Sequence, residues 1–161
     1  MSPVRTQTRL ALRARAEILA LMPRPTTALI VDDELPARTY VHLLLKEVGI
    51  TKWWDAEDGA QALTLFEQHR PELVLLDVNL RVTTGLQVLQ RLKRSHPELP
   101  VIMLSSEDAS TTVQEALRLG AAAYLLKHSP KEEALKKLRE TLDALPETKP
   151  PGGGPAAEHA T

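Results

Sequence analysis

Leu29-Ile30-Val31-Asp32-Asp33-Glu34 is the stretch that decides the fold: an unbroken apolar run passes directly into three acids. Such a run is too short for a buried helix. Its continuous rather than alternating apolar character suits a strand covered on both faces. Three more runs share this design. Leu73-Val74-Leu75-Leu76 leads into Asp77, Val101-Ile102-Met103-Leu104 into Ser105-Ser106-Glu107, and Tyr124-Leu125-Leu126 into Lys127. A weaker run from Ile50 to Trp54 lies between the first two.

Amphipathic segments separate the runs. Residues 36–48 place Tyr40, Val41, Leu44, Leu45 and Val48 on one side, and 59–69 do the same with Ala62, Leu63 and Phe66. Residues 86–94 carry Val88, Leu89 and Leu92; 109–119 carry Val113, Ala116 and Leu117; 130–144 carry Leu135, Leu138 and Leu142. Ser129-Pro130-Lys131-Glu132 reads as a capping box with proline at the first helical position. Gly49 and Gly120 stand where helix C-caps belong. Strands alternating with helices predict an α/β fold: a doubly wound, five-stranded parallel sheet of flavodoxin-like (βα)5 type, with helices on both faces.

Outside this body the composition changes. Residues 1–26 hold Arg5, Arg9, Arg13, Arg15 and Arg24 against Glu17 alone, a net +4. Leu10, Ala14, Ile18 and Leu21 recur there at helical spacing, with Thr8 as N-cap and Pro23 as stop. This predicts an extra N-terminal amphipathic helix that docks on the body or on a partner. Residues 146–161 carry −1 and contain Pro150-Pro151-Gly152-Gly153-Gly154-Pro155, the composition of a disordered tail or linker. Residues 27–145 form the expected domain and carry −4, hidden in a chain total of −1.

The chain of 161 residues is 43% hydrophobic and 25% charged, a globular balance. It has no cysteine, which excludes disulfides, a thiolate nucleophile and Cys-ligated metal. No apolar run reaches the ~18 residues of a membrane span, and no stretch has a secretory signal's layout. The expectation is a soluble cytoplasmic protein that does not bind a membrane.

Ligands of open parallel sheets bind outside the carboxyl ends of the strands. Asp32, Asp33, Asp77, Asn79, Ser105, Glu107 and Lys127 all fall there. A single strand-end Asp is as often a helix N-cap, and a lone Lys is usually a solvated charge. Several at the correct end of four strands form a group. Clustered carboxylates repel, and Mg²⁺, a hard cation taking oxygen ligands, relieves that repulsion. A carboxylate beside Mg²⁺ and a lysine is equipped to accept a phosphoryl group.

At these residues the chain resembles the receiver domain of two-component response regulators. The resemblance rests on Asp32-Asp33-Glu34, on Pro71-Glu72-Leu73-Val74-Leu75-Leu76-Asp77, on Gly85 eight residues later, and on Ser105 and Lys127 closing their strands. Glu57-Asp58-Gly59-Ala60-Gln61-Ala62-Leu63 is similar to the start of the family's second helix. The resemblance implies that Asp77 accepts a phosphoryl group from a sensor histidine kinase or phosphotransfer protein. It implies that Asp32, Asp33, Asp77 and the Asn79 carbonyl hold Mg²⁺, that Ser105 and Lys127 contact the phosphoryl oxygens, and that Ser105 and Tyr124 act as the switch. A downstream protein target follows. A homodimer would form through the helix 109–119, the fifth strand and helix 130–144, or through the N-terminal helix. Asn79 and Glu107 are similar to the pair that flanks the attacking water in the fast-cycling chemotaxis regulator, implying a short-lived phosphoryl state.

On this reading the protein is a phosphoacceptor with weak self-catalysed transfer and autodephosphorylation, not an enzyme acting on a separate substrate. Three departures stand out. Arg81 replaces a common proline, placing a positive charge near the mouth; His128 replaces the proline after Lys127; and Ser105 replaces threonine. Gly85 is expected to serve a positive-φ loop conformation. Trp53 and Trp54 read as strand packing, although adjacent residues cannot share one face, and His42, His69, His96, His128 and His159 read as surface residues. The competing function is the receiver half of a DNA-binding transcriptional regulator; the residues after Leu145 are too few for a helix-turn-helix output. Five arginines without interleaved aromatics argue against nucleic acid as a partner of this chain alone. An aspartate-nucleophile phosphatase fits poorly, because Asn79 stands where a second acid would be.

Overall fold

The computed structural model describes residues 7–14, 17, 24–106 and 110–145. Helix α1 is seen in residues 7–14. There follow β1 (Thr27–Val31), α2 (Leu35–Glu47), β2 (Lys52–Ala56), α3 (Gly59–His69), β3 (Leu73–Asp77), α4 (Gly85–Ser95), β4 (Val101–Ser105), α5 (Ser110–Arg118), β5 (Ala123–Leu126) and α6 (Lys131–Ala144). All strand pairings are parallel, in the order β2-β1-β3-β4-β5.

Each central strand buries both sets of its side chains. Ala28, Ile30, Leu73, Leu75, Ile102 and Leu104 pack beneath α2 and α6 with Val41, Leu45, Leu135 and Leu138. Leu29, Val31, Val74, Leu76, Val101 and Met103 face the other way, onto Phe66, Val88, Leu92 and Ala116. Opposite faces at successive residues follow from the pleat, and coverage on both sides explains why the runs are unbroken.

β2 starts later than the apolar run suggests, at Lys52 rather than Ile50. Ile50 instead belongs to the turn after α2, where its N–H bonds Leu45 O at 2.9 Å and Gly49 takes φ +88°. Gly120 ends α5 the same way, with φ +100° and Ala121 N–H on Ala116 O at 2.9 Å. Both glycines supply the positive φ that ends a helix, although the C-cap of α2 is Val48 and Gly49 is the residue after it. On the edge strand β2, Trp53 and Trp54 are both half-buried because helices cover both faces of the sheet. Trp53 stacks on His42 and Trp54 on His69. His42 is therefore not a plain surface residue; it also bonds Asp55 at 2.8 Å. His96 is half-buried against Phe66.

Three expectations about helix and loop geometry are corrected. Gly85 does not have a positive φ. It is glycine because a Cβ there would lie 2.0 Å from Asp77 O and 2.8 Å from Val78 Cα. The start of α6 is not a capping box: Pro130 is the N-cap with no side-chain cap bond, while the Ser129 carbonyl accepts from Tyr40 OH at 3.0 Å. Pro130 has ψ 142°, outside the helix, so the helix begins one residue later. Thr8 lies inside α1, since Gln7 is already helical, and Leu10 and Leu12 are exposed at 62% and 60% rather than docked on the body. Ile18, Leu21 and Pro23 lie outside the described residues, as does the tail from Pro146. The basic arm does touch the body through Arg24, which ion-pairs with Asp143 of α6. No helix among the described residues is long and apolar enough to cross a membrane.

Candidate functional site

Register builds the site. β1 and β3 pair Val31 with Leu76, so the next residues, Asp32 and Asp77, leave the sheet side by side. β3 pairs Asp77 with Leu104, and β4 pairs Ser105 with Leu126. The ladder continues past the strand ends: Asp32 N–H donates to Ala56 O, Val78 N–H to Leu104 O, and Lys127 N–H to Ser105 O at 2.8 Å. Parallel strands thus deliver Asp32, Asp77, Ser105 and Lys127 to one rim.

Asp32 and Asp77 are buried at 0% and 2% exposure. They are held in the same way. Asp32 Oδ1 accepts from Glu34 N–H at 2.9 Å, and Asp77 Oδ1 accepts from Asn79 N–H at 3.0 Å. Each second oxygen meets Lys127 Nζ, at 2.9 Å from Asp77 Oδ2 and 2.7 Å from Asp32 Oδ2. The second contact is a buried ion pair. Asp33 completes an acidic triad: one carboxylate oxygen from each of Asp32, Asp33 and Asp77 lies within 4.8 Å of the others. Three oxygen ligands, one facing the opening, suit a hard divalent cation.

Two carboxylates sharing one ammonium leave an imbalance. Burial raises the Asp77 carboxyl above its usual range; Lys127 and the Asn79 N–H oppose this, and the charge of Asp32 reinforces it. Burial alone would lower the Lys127 ammonium, but the two carboxylates outweigh it and raise it. The lysine is therefore firmly charged, and Asp77 is the strained member of the pair.

Ser105 is buried at 3% exposure on the end of β4, and Tyr124 at 6% on β5, packed in the same layer as Met103 and Ala116. Asn79 is exposed beside Asp77. Glu107 lies outside the described residues. No peptide bond among the described residues is cis, so Lys127–His128 is trans.

Sequence reasoning missed Arg38. Its side chain is buried on α2, Nη1 donating to Asp32 O at 2.7 Å, with Asp55 and Glu57 3.8 and 3.6 Å from the rest of the guanidinium. It ties the end of β1 to the end of β2. The available signal was its spacing: Arg38, Val41, Leu44 and Leu45 share the buried stripe of one helix. The start of α4 also went unread, where Thr84 and Gln87 form a reciprocal capping box just after the acceptor loop.

The profile of the response regulator receiver domain matches residues 28–139. Over 122 residues the chain is 35% identical to "Probable transcriptional regulatory protein TcrX" of Mycobacterium tuberculosis, covering 74% of this chain and 50% of that one. Over 115 residues it is 29% identical to the chemotaxis protein CheY of Bacillus subtilis, covering 71% of this chain and 96% of that one. Among solved structures, the receiver domain of NtrX from Brucella abortus superposes with a TM-score of 0.66 at 32% identity, over 73% of this chain and 98% of that one. The chain therefore spans about half the length of TcrX and nearly all of CheY. With the sheet order, the acidic rim and the profile in agreement, this chain belongs to the receiver domain family of two-component response regulators.

Proposed function

We propose that the protein is a phosphoacceptor switch in which Asp77 receives a phosphoryl group from a sensor histidine kinase or phosphotransfer protein. The observation that carries this reading is Lys127 Nζ poised 2.9 Å from Asp77 Oδ2, next to a triad of carboxylates. An Asp77 oxygen forms the new P–O bond while the donor's P–N bond breaks, its electron pair returning to the histidine ring. Asp32, Asp33 and Asp77 with the Asn79 carbonyl are the ligands for Mg²⁺, whose chemistry when bound is to neutralise the transferring phosphoryl oxygens. Lys127 holds the acceptor oxygen in place and offers a donor to the arriving group.

Phosphorylation gives Asp77 roughly 1.5 to 2 negative charges in place of one, with three acceptor oxygens. The Ser105 hydroxyl turns to those oxygens, and Tyr124 repacks on β5. The altered surface of α5, β5 and α6 then engages a downstream protein or a second copy of the chain. The family resemblance makes Asn79 and Glu107 the residues that tune dephosphorylation, with a phosphoryl lifetime of minutes or less in order of magnitude. The protein works in the cytoplasm, where histidine kinases present their phosphoryl groups.

Incubation with acetyl phosphate and Mg²⁺, followed by intact mass measurement, tests this reading. Wild type gains one phosphoryl group and Asp77→Asn gains none. Equal labelling of both would overturn it. A second reading is favoured by the match to half of TcrX: the chain is the receiver half of a DNA-binding regulator. A gel shift with the full open reading frame decides between the two outputs.

A further inference from the structure

Arg81 stands four residues beyond Asp77, on the loop that leads into α4. Its side chain is 79% exposed, yet Nε donates to Asp33 Oδ2 at 3.2 Å. Lys127 contacts Asp32 and Asp77, whereas the ion-pair partner of Asp33 among the described residues is Arg81. The three carboxylates thus face two cations of different kinds. One is buried and held by two carboxylates; the other hangs over the mouth on a long, solvated side chain.

An exposed ion pair is weakly held. With a divalent cation bound among the three carboxylates, the single guanidinium would leave Asp33 and remain tethered at the rim. Guanidinium presents a rigid fork of donors matched to phosphoryl oxygens, with a charge that water and burial do not remove. The geometry points to Arg81 as a donor-binding residue: parked on Asp33 before the cation arrives, and engaging the donor's phosphoryl oxygens afterwards. It acts at the step where Asp77 attacks phosphorus. With acetyl phosphate the bond from phosphorus to the bridging oxygen breaks, and acetate leaves with the electron pair.

This assignment rests on the phosphoacceptor reading, and the two fail differently. Two measurements on the whole chain test it, each with wild type, Arg81→Ala and Arg81→Lys. The first is Mn²⁺ binding to the protein alone, followed by the electron paramagnetic resonance signal of free Mn²⁺. Removing the competing arginine tightens binding about two- to fivefold in Arg81→Ala, while Arg81→Lys stays near wild type. The second is the rate of mass gain from subsaturating acetyl phosphate at saturating Mg²⁺. Here Arg81→Ala slows roughly tenfold and loses part of the wild-type dependence on added NaCl, and Arg81→Lys recovers only part of the rate because an ammonium lacks the fork. Unchanged Mn²⁺ affinity, or a wild-type transfer rate in Arg81→Ala, overturns the Arg81 assignment alone. A wild type that never gains a phosphoryl group overturns both.

Discussion

The backbones of Gly85 and Asp77 approach so closely that a Cβ on Gly85 would stand 2.0 Å from the Asp77 carbonyl oxygen. Gly85 N–H also donates to Val78 O at 2.8 Å. The first residue of α4 is therefore pinned against the end of β3, and the acceptor's backbone position depends on the absence of a side chain. Gly85→Ala is expected to lower stability by about 3 kcal/mol or more, since neither clashing partner is a movable side chain. Gly49→Ala, where a Cβ meets nothing within 4 Å and only φ +88° resists, should cost about 1–2 kcal/mol. Urea midpoints of the two variants check the order; equal losses would contradict the close-approach account.

Asp77→Asn should make the resting protein more stable at neutral pH. The Asp77 carboxyl is raised by burial, so the folded state binds its proton at a pH where the unfolded chain has released it. By linkage, that proton's contribution is fully present below the ordinary carboxyl value of 3.8 and is lost as pH rises through the raised folded value. Above that window wild type carries a buried carboxylate whose burial its partners only partly offset, and the asparagine variant does not. Metal-free denaturation from pH 3 to pH 8 should show the variant's advantage growing as pH rises through that window and level above it. A constant difference across the range would contradict the assignment.

Adding Mg²⁺ should reverse that ranking. The cation binds the folded triad and not the dispersed carboxylates of the unfolded chain, so wild type gains about 2.7 kcal/mol at a hundredfold excess over Kd. Asp33→Ala, which removes the triad member facing the opening, should lose most of the gain while keeping its metal-free stability within about 0.5 kcal/mol. Melting curves with Mg²⁺ or EDTA measure this directly.

Arg38→Met should cost about 2–4 kcal/mol, a large effect for a residue outside the acidic triad. The change removes the donor to Asp32 O and leaves the ends of β1 and β2 without their shared cation. Methionine keeps much of the volume, so the loss reports charge and hydrogen bonding rather than a cavity. Guanidinium denaturation reads it, and Mg²⁺ affinity should weaken in parallel because Asp32 loses its anchor.

The strands were legible because their apolar runs are bounded by polar punctuation, and Leu73 through Leu76 ending on Asp77 is the clearest case. The late start of β2 was not. Ile50 is apolar because it closes the turn after α2, and apolar character alone does not separate that role from a strand. The acids, the hydroxyl and the lysine could be grouped from strand ends, whereas Arg38 hid in a helix stripe and Gly85 was read for its φ rather than its neighbours.

The alternation of strand and helix, the layers on both faces and the polar residue at each strand end are local properties of the chain. Periodicity and run length encode them within a dozen residues, so the sequence by itself determined the α/β class and the grouping of Asp32, Asp77, Ser105 and Lys127 at strand ends. Strand order and register decided the rest. Placing β1 between β2 and β3 sets Asp32 beside Asp77, and only the folded sheet brings Lys127 across β4 to both carboxylates. The Arg81–Asp33 tether and the Gly85 contact belong to the same class. They are distances between residues far apart along the chain, and no local pattern carries a distance.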